Sequence, residues 1–405
     1  PRQGSLRHPL ADTQRLQIIQ VPKGITHGHR TMRSVRSKLA VTSLGLLLSV
    51  IPMQGSSIIG GTDAPPGHYP WMTSLVQRDA DDAYTGHFCG ATLIHPRWVM
   101  TAAHCFRDNF RGRVDPKAPV DLVIGRYDLR TTEGQRIVPA RVVGHPDWAP
   151  RDFLKELPDR NDILLLELPH AITDIEPVSL PGPTLEDSGY SPFLTAPGLV
   201  TTAVGWGFTD AIDKKNSPVQ QQVNLPIVKQ GVCAAVQTEF PLHLQATTFC
   251  AGPQAGRRDI CIGDSGGPLL RRNPRDGSWV QIGITSYQQG GCAQPGVYGV
   301  YTRVSHYARW ISETACGVEE KPSQPSLDIT LDGTRATARF ASSGPVQGYR
   351  LYANPTGSPE RYLDLGAQTS FSIEIAPGSA WTAAVQAYNG ICLSPLSEVK
   401  AVFGK

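Results

Sequence analysis

Asp259-Ile-Cys-Ile-Gly-Asp-Ser-Gly-Gly-Pro268 is the stretch of this chain that carries its clearest chemistry. It places Ser265 between Gly263 on one side and Gly266 and Gly267 on the other. Small neighbours let the backbone turn tightly and let a substrate approach a hydroxyl closely. The backbone N–H groups of Gly263 and Ser265 can then point into one small hole, the arrangement that stabilises the oxyanion in acyl transfer. The stretch therefore predicts a nucleophilic serine with an oxyanion hole beside it.

The base and the orienting acid that such a serine requires stand in two other stretches of the chain. Thr101-Ala-Ala-His104-Cys follows an apolar run that is typical of a strand end. Asn161-Asp162-Ile-Leu-Leu-Leu166 places a carboxylate at the start of another apolar run. A buried Asp that accepts a hydrogen bond from His fixes the imidazole tautomer and stabilises the imidazolium. We predict Ser265 as nucleophile, His104 as general base and Asp162 as the residue that orients it.

With Gly205-Trp-Gly207 and Ile58-Ile-Gly-Gly61 added to these motifs, the chain resembles a trypsin-like serine protease of the chymotrypsin family over residues 58–316. The order His, Asp, Ser is the one that chymotrypsin has. The resemblance implies an all-β fold of two six-stranded antiparallel β-barrels, with the three residues in the cleft between them and a C-terminal helix over residues 306–314. Short alternating runs separated by turns fit such strands.

The resemblance also implies the substrate-binding residues. Asp259 stands at the floor of the primary specificity pocket, where a buried carboxylate requires an Arg or Lys side chain of the substrate as its partner. Gly299 matches a pocket wall that lets a long side chain pass. Ser286 matches a serine that hydrogen-bonds the orienting aspartate, with an ordinary strand serine as the alternative. Gln288 departs from the family pattern Ser-Trp-Gly, and we expect it to narrow the pocket mouth or to alter backbone pairing with the substrate.

Ile58 is the expected N-terminus of the active protein. In the family, a new isoleucine amine inserts into the core and pairs with the aspartate just before the nucleophile, here Asp264. The family usually has Arg or Lys before this isoleucine, whereas this chain has Ser57, with Gly55 two residues earlier. Small residues at those places are what signal peptidase prefers. One export cleavage can therefore expose Ile58, and a cut by another protease of different specificity is the alternative.

The eight cysteines are an even number without a close Cys-x-x-Cys pair, which favours disulfides in an exported chain over a zinc cluster. The resemblance implies three bridges, Cys89–Cys105, Cys233–Cys250 and Cys261–Cys292. Cys316 and Cys392 remain, and by elimination they join the end of the helix to the C-terminal domain. Two free thiols are the alternative for this last pair.

The first 57 residues divide into two segments. Residues 1–31 are polar and without periodicity, which indicates a disordered leader or a mis-assigned start. Residues 32–57 have a basic start, an apolar run too short for a comfortable membrane span, and small residues at the end. That is the layout of a secretory signal peptide, with a single membrane anchor as the alternative. We therefore expect secretion, to the outside of the cell or, in a bacterium, to the periplasm.

The sequence changes character after the protease-like region of residues 58–316. Residues 317–326 are polar and contain proline, as a linker does, and residues 327–405 alternate as the strands of a small β-sandwich do. Ala376-Pro-Gly-Ser-Ala-Trp381 and Val385-Gln-Ala-Tyr-Asn389 make this part resemble a fibronectin type III domain, with an unrelated β-sandwich as the alternative. Whether this domain binds a protein, a glycan or a cell surface stays open.

Composition and charge narrow the partners. The net charge of +3 is too weak to imply nucleic acid or an anionic membrane. Some trypsins bind calcium in a loop that matches residues 125–136, but here Arg126 and Arg136 stand at the ligand positions, and cations cannot ligate calcium. We therefore expect neither metal nor cofactor.

The predicted function is a secreted endopeptidase that cleaves peptide bonds after Arg or Lys through an acyl-enzyme intermediate. Its expected partners are protein or peptide substrates and proteinaceous inhibitors. The alternative is a catalytically inactive, protease-like protein used for binding or adhesion. Inactive relatives lose one of the three catalytic residues or the glycine before Asp-Ser, and this chain keeps them all.

Overall fold

Two antiparallel sheets of seven strands each build the region from residue 58 to residue 316 in the computed structural model. The structure describes residues 58–107, 113–151, 158–183, 194–210, 214–236, 246–288, 290–356, 358 and 362–404. The predicted leader and signal peptide, and Ser57 with them, lie outside the described residues.

The strands of the first sheet are β2 to β8 and those of the second are β1 and β9 to β14. In chain order they are β1 (Thr62–Asp63), β2 (Met72–Gln77), β3 (His87–His95), β4 (Trp98–Thr101), β5 (Val120–Ile124), β6 (Gln135–Ile137), β7 (Arg141–Gly144), β8 (Leu164–Glu167), β9 (Val200–Gly205), β10 (Gln221–Pro226), β11 (Thr248–Ala251), β12 (Pro268–Arg272), β13 (Trp279–Gln288) and β14 (Gly299–Arg303). The helices are α1 (Ala83–Gly86), α2 (Gln230–Val236) and α3 (Val304–Ala315).

The first sheet closes on itself through a bent segment. Its strand order is β6-β5-β2-β3-β4-β8-β7, so the two edge strands are consecutive in the chain. Pro139 lies between them and has no N–H to donate to a ladder, which breaks one long strand into two. Ala140 resumes pairing, donating to the Glu167 carbonyl at 2.7 Å. The predicted barrel is confirmed, and its sixth strand appears as two pieces for this reason.

The second sheet runs β1-β10-β9-β12-β13-β14-β11. Its ring closes beyond β10, where Ile227 bridges Ala251 and Val228 N donates to the Cys250 carbonyl at 2.9 Å. The seventh strand, β1, is a two-residue addition that pairs with Gln221 and Gln222. The two barrels that the sequence predicted are thus present, and side chains of their strands fill two apolar cores. Buried members of these cores include Leu75, Leu93, Val99, Leu122, Leu164 and Leu166 in the first barrel and Ala203, Leu225, Phe249, Leu269, Ile282 and Tyr301 in the second.

Helix α3 follows β14 and packs its apolar face against the barrels. Tyr307, Ile311 and Ala315 lie four residues apart and are all buried, as the helical period requires. The Tyr307 hydroxyl donates to Asn161 Oδ1 at 2.8 Å, which ties the helix to the residue before Asp162. The observed helix is longer than the predicted one, by two residues at its start and by one at its end. No helix in the part of the chain that the structure describes is long and apolar enough to cross a membrane.

A β-sandwich of two facing sheets follows the helix. One sheet is β15-β16-β19, and the other is β18-β17-β20-β21 with β22 also paired to β20. Its strands are β15 (Ser326–Asp332), β16 (Arg335–Ala341), β17 (Gly348–Pro355), β18 (Tyr362–Gly366), β19 (Ser370–Glu374), β20 (Ala380–Asn389), β21 (Cys392–Leu396) and β22 (Lys400–Phe403). The core between the sheets is apolar, and its most buried members are Leu327, Phe340, Leu351, Val385 and Ala387.

The sandwich is fixed to the protease-like region rather than suspended from it. Cys316 and Cys392 form a disulfide, with their Cα atoms 5.6 Å apart. Beside it, Leu393 N donates to the Ser312 hydroxyl of α3 at 2.9 Å. Gly182 N donates to the Tyr362 hydroxyl at 2.8 Å on another side of the contact. All described residues accordingly fall within one compact unit.

Candidate active site

The pairing of β4 with β8 brings His104 and Asp162 together. Thr101 and Leu164 are partners in these antiparallel strands, so the end of β4 lies beside the start of β8. His104 stands in the 3-10 turn directly after β4, and Asp162 stands two residues before β8. The Asp162 carboxylate accepts two hydrogen bonds from His104, one from the backbone N at 2.9 Å and one from ring Nδ1 at 2.7 Å. The backbone therefore fixes the carboxylate in the position that orients the imidazole.

The Asp162 carboxylate is buried and has a third donor. Ser286, on β13, donates its hydroxyl to Asp162 Oδ2 at 2.5 Å, and only 2 % of Asp162 is exposed. Burial by itself raises the pKa of this carboxyl, but the charge and hydrogen bonds of His104 and the Ser286 hydroxyl outweigh burial and hold the pKa below its usual range. Asp162 is thus charged where His104 needs an anion.

The pKa of His104 is shifted in the direction opposite to that of Asp162. Burial lowers the pKa of His104, but the charge of Asp162 and the hydrogen bond to it outweigh burial, so the pKa is raised above the ordinary 6.5. We expect the ring to titrate above pH 6.5 in an NMR titration, and Asp162→Asn to lower the midpoint because the anion is removed. A midpoint below 6.5 in the parent protein, or an unchanged midpoint in Asp162→Asn, would contradict this electrostatic account.

Ser265 lies in a tight loop that packs against the same end of β4. Gly90 N, on β3, donates to the Ser265 carbonyl at 2.7 Å. Gly266 has a φ of 76°, and a β-carbon there would meet Thr101 Oγ1 and lie 3.1 Å from Ala102 N. Glycine is required because the loop and the strand end are in backbone contact. The three predicted catalytic residues are thereby brought to one place between the barrels.

The hydrogen bonds of the described residues do not include one between Ser265 Oγ and His104. Ring Nε2 of His104 instead has Cys105 Sγ as its polar neighbour, at 3.8 Å. In unliganded enzymes the bond between nucleophile and base is often long and tightens when substrate binds. The structure thus shows an imidazole oriented by a carboxylate, with the loop of Ser265 beside it.

The predicted oxyanion hole has available donors. No hydrogen bond within the described part of the chain uses the backbone N–H of Gly263 or of Ser265. Gly263 has a φ of 95°, and a β-carbon there would lie 2.9 Å from Gly207 Cα. Both N–H groups remain available to an oxyanion.

His87 is a residue of this site that sequence reasoning missed. Its ring Nε2 contacts the Gly263 carbonyl at 3.1 Å and its Nδ1 contacts the Ser74 hydroxyl at 2.7 Å. Burial lowers the pKa of His87 to about 4, so the ring is neutral near pH 7. A carbonyl can only accept, so Nε2 carries the proton and Nδ1 accepts from Ser74. His87 therefore anchors the carbonyl of Gly263, one of the two residues of the predicted oxyanion hole, through a contact between segments far apart in sequence.

Asp264 is buried without a cation. Its carboxylate accepts from Gly207 N and Cys261 N, both at 2.9 Å, and 1 % of the residue is exposed. Burial raises its pKa to about 7, and these two hydrogen bonds only partly offset that. The Ile58 side chain is fully buried in the core of the second barrel. In the continuous chain the Ile58 nitrogen is a peptide nitrogen, and no ion pair of Asp264 occurs among the described residues.

Asp259 is a second buried carboxylate that has no cationic partner among the described residues. It accepts from its neighbour Ile260 N at 2.9 Å and from Ala293 N at 3.1 Å. Burial raises its pKa to about 7, although these hydrogen bonds lower it. Such a group gains most from a cation that reaches it.

The two other pocket positions lie opposite each other. Gln288 pairs with Gly299 across β13 and β14. A β-carbon on Gly299 would lie 3.1 Å from the Tyr301 ring, so glycine keeps this wall open. Gln288 Nε2 donates to Cys292 Sγ at 2.9 Å, and its buried Oε1 has no partner. The Gln288 side chain is thus directed toward the disulfide at this position.

Four disulfides are present, and they are the four pairs that we expected. They are Cys89–Cys105, Cys233–Cys250, Cys261–Cys292 and Cys316–Cys392. No described cysteine is free. The first bridge holds the turn that carries His104, and the third joins a residue two positions after Asp259 to one four positions after Gln288.

In the loop of residues 125–136, both arginines are engaged. The Arg126 guanidinium donates to the Glu133 carbonyl at 2.5 Å, and Arg136 Nε donates to Asp121 Oδ2 at 2.8 Å. Arg126 thus bonds within the loop and Arg136 bonds to β5, and neither side chain offers the oxygen ligand that a calcium ion needs. The absence of a metal here stays a prediction.

Comparison with known proteins points to one family. A sequence model of the Trypsin family matches residues 58–311. Tryptase of Mus musculus is 34% identical over 292 residues, which cover 68% of this chain and 96% of that protein. Transmembrane protease serine 7 of Mus musculus is 34% identical over 259 residues, and that of Rattus norvegicus is 33% identical over 266. The chain spans only 28% of the length of these two transmembrane relatives, and the match covers 63% of the chain.

Proposed function

The chain belongs to the trypsin family of serine proteases, and from this premise we propose that it is an active endopeptidase that cleaves after Arg or Lys. The observation that carries the proposal is the His104–Asp162 pair, oriented by two hydrogen bonds and placed beside the loop of Ser265. In the proposed reaction, the Ser265 hydroxyl attacks the scissile carbonyl and His104 Nε2 takes its proton. Asp162 stabilises the imidazolium that forms. An acyl-enzyme results, and water hydrolyses it by the same steps.

The negative charge of the tetrahedral intermediate requires fixed donors. The N–H groups of Gly263 and Ser265 supply them at no reorganisation cost, because neither is used within the described chain. His87 holds the Gly263 carbonyl and so supports the orientation of that peptide group.

The proposed specificity for Arg and Lys rests on Asp259. Its carboxylate is buried, has two backbone donors and lacks a cation. A substrate guanidinium or ammonium is the partner that would recover the cost of burying that charge. Cleavage of a randomised peptide library tests this. We expect Arg and Lys to dominate the position before the cut, and a preference for aromatic or small residues there would contradict the proposal.

The inactive alternative, a protease-like protein used for binding or adhesion, has no observation in its favour. It requires a missing catalytic group, and Ser265, His104 and Asp162 are all present. A protein that folds but hydrolyses no member of the peptide library would support it.

For residues 327–404 we propose a fibronectin type III-like domain. Two facing antiparallel sheets of short strands agree with that architecture. Trp381 lies at the start of β20, pairs with Val402 of β22, and packs against the edge of the core. The two sheets do not identify a ligand for this domain, and a protein, a glycan and a cell surface stay open.

Activation is proposed to occur when Ile58 becomes the N-terminus. An ammonium group there would pair with Asp264, whose carboxyl has only neutral donors and a pKa of about 7. We expect secreted protein to begin at Ile58 and to be active without trypsin treatment. N-terminal sequencing with an activity assay measures both. An inactive secreted species that begins upstream and is activated by a second cut would refute the single export cleavage.

Two variants distinguish loss of the ion pair between Ile58 and Asp264 from a general effect of replacing an aspartate. Asp264→Asn should be inactive even with Ile58 at its N-terminus, because the amine has lost its anion. Asp276→Asn, at a surface turn, should keep full activity.

A further inference from the structure

A cavity of about 330 Å³ lies where the second barrel meets the β-sandwich. We call it the junction pocket. Small-molecule sites commonly measure about 300–1,000 Å³ and occur preferentially at domain interfaces. None of the predicted catalytic or specificity residues lines it. Its walls are mostly apolar and come from both domains: Leu180, Pro181, Leu194 and Val280 from one, Tyr362 and Leu363 from the other.

Arg350, on β17, is a buried charged residue in the wall of this pocket. Only 4 % of the residue is exposed, and its guanidinium lies 4.3 Å from the centre of the Tyr388 ring. Nη2 donates to the Leu180 carbonyl at 3.3 Å, whereas buried Nε and Nη1 have no hydrogen-bond partner among the residues that the structure describes. Burying charged donors without partners is costly. A group that accepts from Arg350 would remove this cost.

The nearest carboxylate does not satisfy Arg350. Asp364 Oδ2 lies 3.8 Å from Arg350 Nε, which is beyond hydrogen-bond distance. Its other oxygen, Oδ1, already accepts from the Tyr388 hydroxyl at 2.9 Å and Gly366 N at 3.0 Å, and lies 3.5 Å from Arg275 Nη2. The charge of Asp364 is therefore shared among several groups, and Arg350 keeps donors for another anion.

The charges around the pocket select the ligand's charge. The charged residues that line it are Arg275, Arg350 and Asp364, which sum to one positive charge. The wider cleft of about 610 Å³ next to it also has the acidic residues Glu176 and Asp276. A single negative charge is thus favoured in the apolar pocket and disfavoured in the cleft.

We propose that the junction pocket binds a small organic monocarboxylate with an apolar body. The carboxylate accepts hydrogen bonds from the available N–H groups of Arg350, and the apolar body contacts Leu180, Val280 and Leu363. Charge-assisted hydrogen bonds are roughly twice as strong as those between neutral groups. Because both domains contribute, the ligand also stabilises their contact, and the thermal midpoint rises with its concentration.

The test uses the full chain and 4-phenylbutyrate as probe, measured by calorimetric titration. We expect one binding site for 4-phenylbutyrate. The neutral amide, 4-phenylbutyramide, should bind at least about tenfold more weakly than the acid. The substitution Arg350→Gln should lower the affinity for 4-phenylbutyrate by roughly 10- to 100-fold. Arg339→Gln, which removes an exposed charge on β16, is the matched control and should bind as the parent does.

A second variant, Asp364→Asn, is expected to raise the affinity for the probe. It tests the proposal even if Arg350→Gln does not fold. Asp364→Asn keeps an acceptor for Tyr388 but removes the competing anion, so 4-phenylbutyrate should bind more tightly. Equal affinity for acid and amide, or weaker binding of the acid by Asp364→Asn, would overturn the proposal. A short peptide that ends in phenylalanine offers the same carboxylate on a larger molecule. If it bound more tightly than 4-phenylbutyrate and required its free carboxylate, the ligand would not be a small organic acid, and the proposal would be overturned in that respect.

Discussion

Ser265→Ala is expected to lower kcat for peptide hydrolysis by about 10⁶-fold, the size of loss seen when another triad enzyme loses its serine. The reason is that no other hydroxyl occupies the tight loop beside His104, so the acyl-enzyme cannot form. Substrate binding and the N–H groups of Gly263 and residue 265 remain. They should leave roughly 10³–10⁴-fold acceleration over water. Steady-state kinetics with an Arg-containing ester and peptide measures the loss.

Ser305→Ala is the matched control for this change. Ser305 is also part of the protease-like region and is buried, and its hydroxyl has no hydrogen-bond partner within the described ranges. Its removal should therefore leave kcat within about twofold, because no hydrogen bond is lost. If Ser265→Ala hydrolysed peptides at the parental rate, the assignment of the nucleophile would be wrong.

Asp259→Ser is expected to lower kcat/KM for Arg and Lys substrates by roughly 10²–10⁴-fold, the size of a broken buried ion pair of about 3–5 kcal/mol. Substrates with Phe should change little, because they never used the carboxylate. The measured quantity is the ratio of kcat/KM for Arg and Phe esters. Asp328→Ser, which removes an exposed carboxylate from β15, should keep the parental ratio. A parental ratio in Asp259→Ser as well would mean that another group recognises the substrate.

Asp259 and Asp264 together give a physical reason why the continuous chain would be inactive. Both carboxylates are buried, both have only backbone donors, and burial raises the pKa of each to about 7. Neither carboxylate has a cation beside it in the part of the chain that the structure describes. In the proposed account, the N-terminal ammonium of Ile58 supplies it to Asp264, and the substrate side chain supplies it to Asp259. Because the two carboxylates are five residues apart in one loop, the first pairing can order the site for the second.

Much of the site could be predicted because its motifs are contiguous. Ser265 with its glycines, and His104 after an apolar run, each form a local pattern that the chain displays directly. The pairing of β4 with β8 then brings His104 to Asp162, and strand patterning is enough to expect those strands. Cysteine count and resemblance together gave all four bridges.

The features that could not be predicted from the sequence depend on contacts between distant segments of the chain. His87 reaches Gly263 across 176 residues, and no spacing rule marks a lone histidine as the anchor of a peptide group. The pairing of Arg350 with the Leu180 carbonyl joins residues 170 apart. The predicted linker gave no sign that Asn389 would donate to the Glu320 carbonyl at 3.2 Å and hold it against the sandwich. Side-chain contacts of this kind follow from the packing of whole domains and not from local pattern.

The most direct test of the central claim is labelling with a serine-directed phosphonate, made on protein whose N-terminus has been sequenced as Ile58. The account predicts one phosphonate per molecule, attached to Ser265 in the peptide map, with peptidase activity lost in proportion to labelling. His104→Ala should be labelled far more slowly, because the hydroxyl has lost its base. Label on another residue, or full peptidase activity in protein whose Ser265 is completely modified, would contradict it.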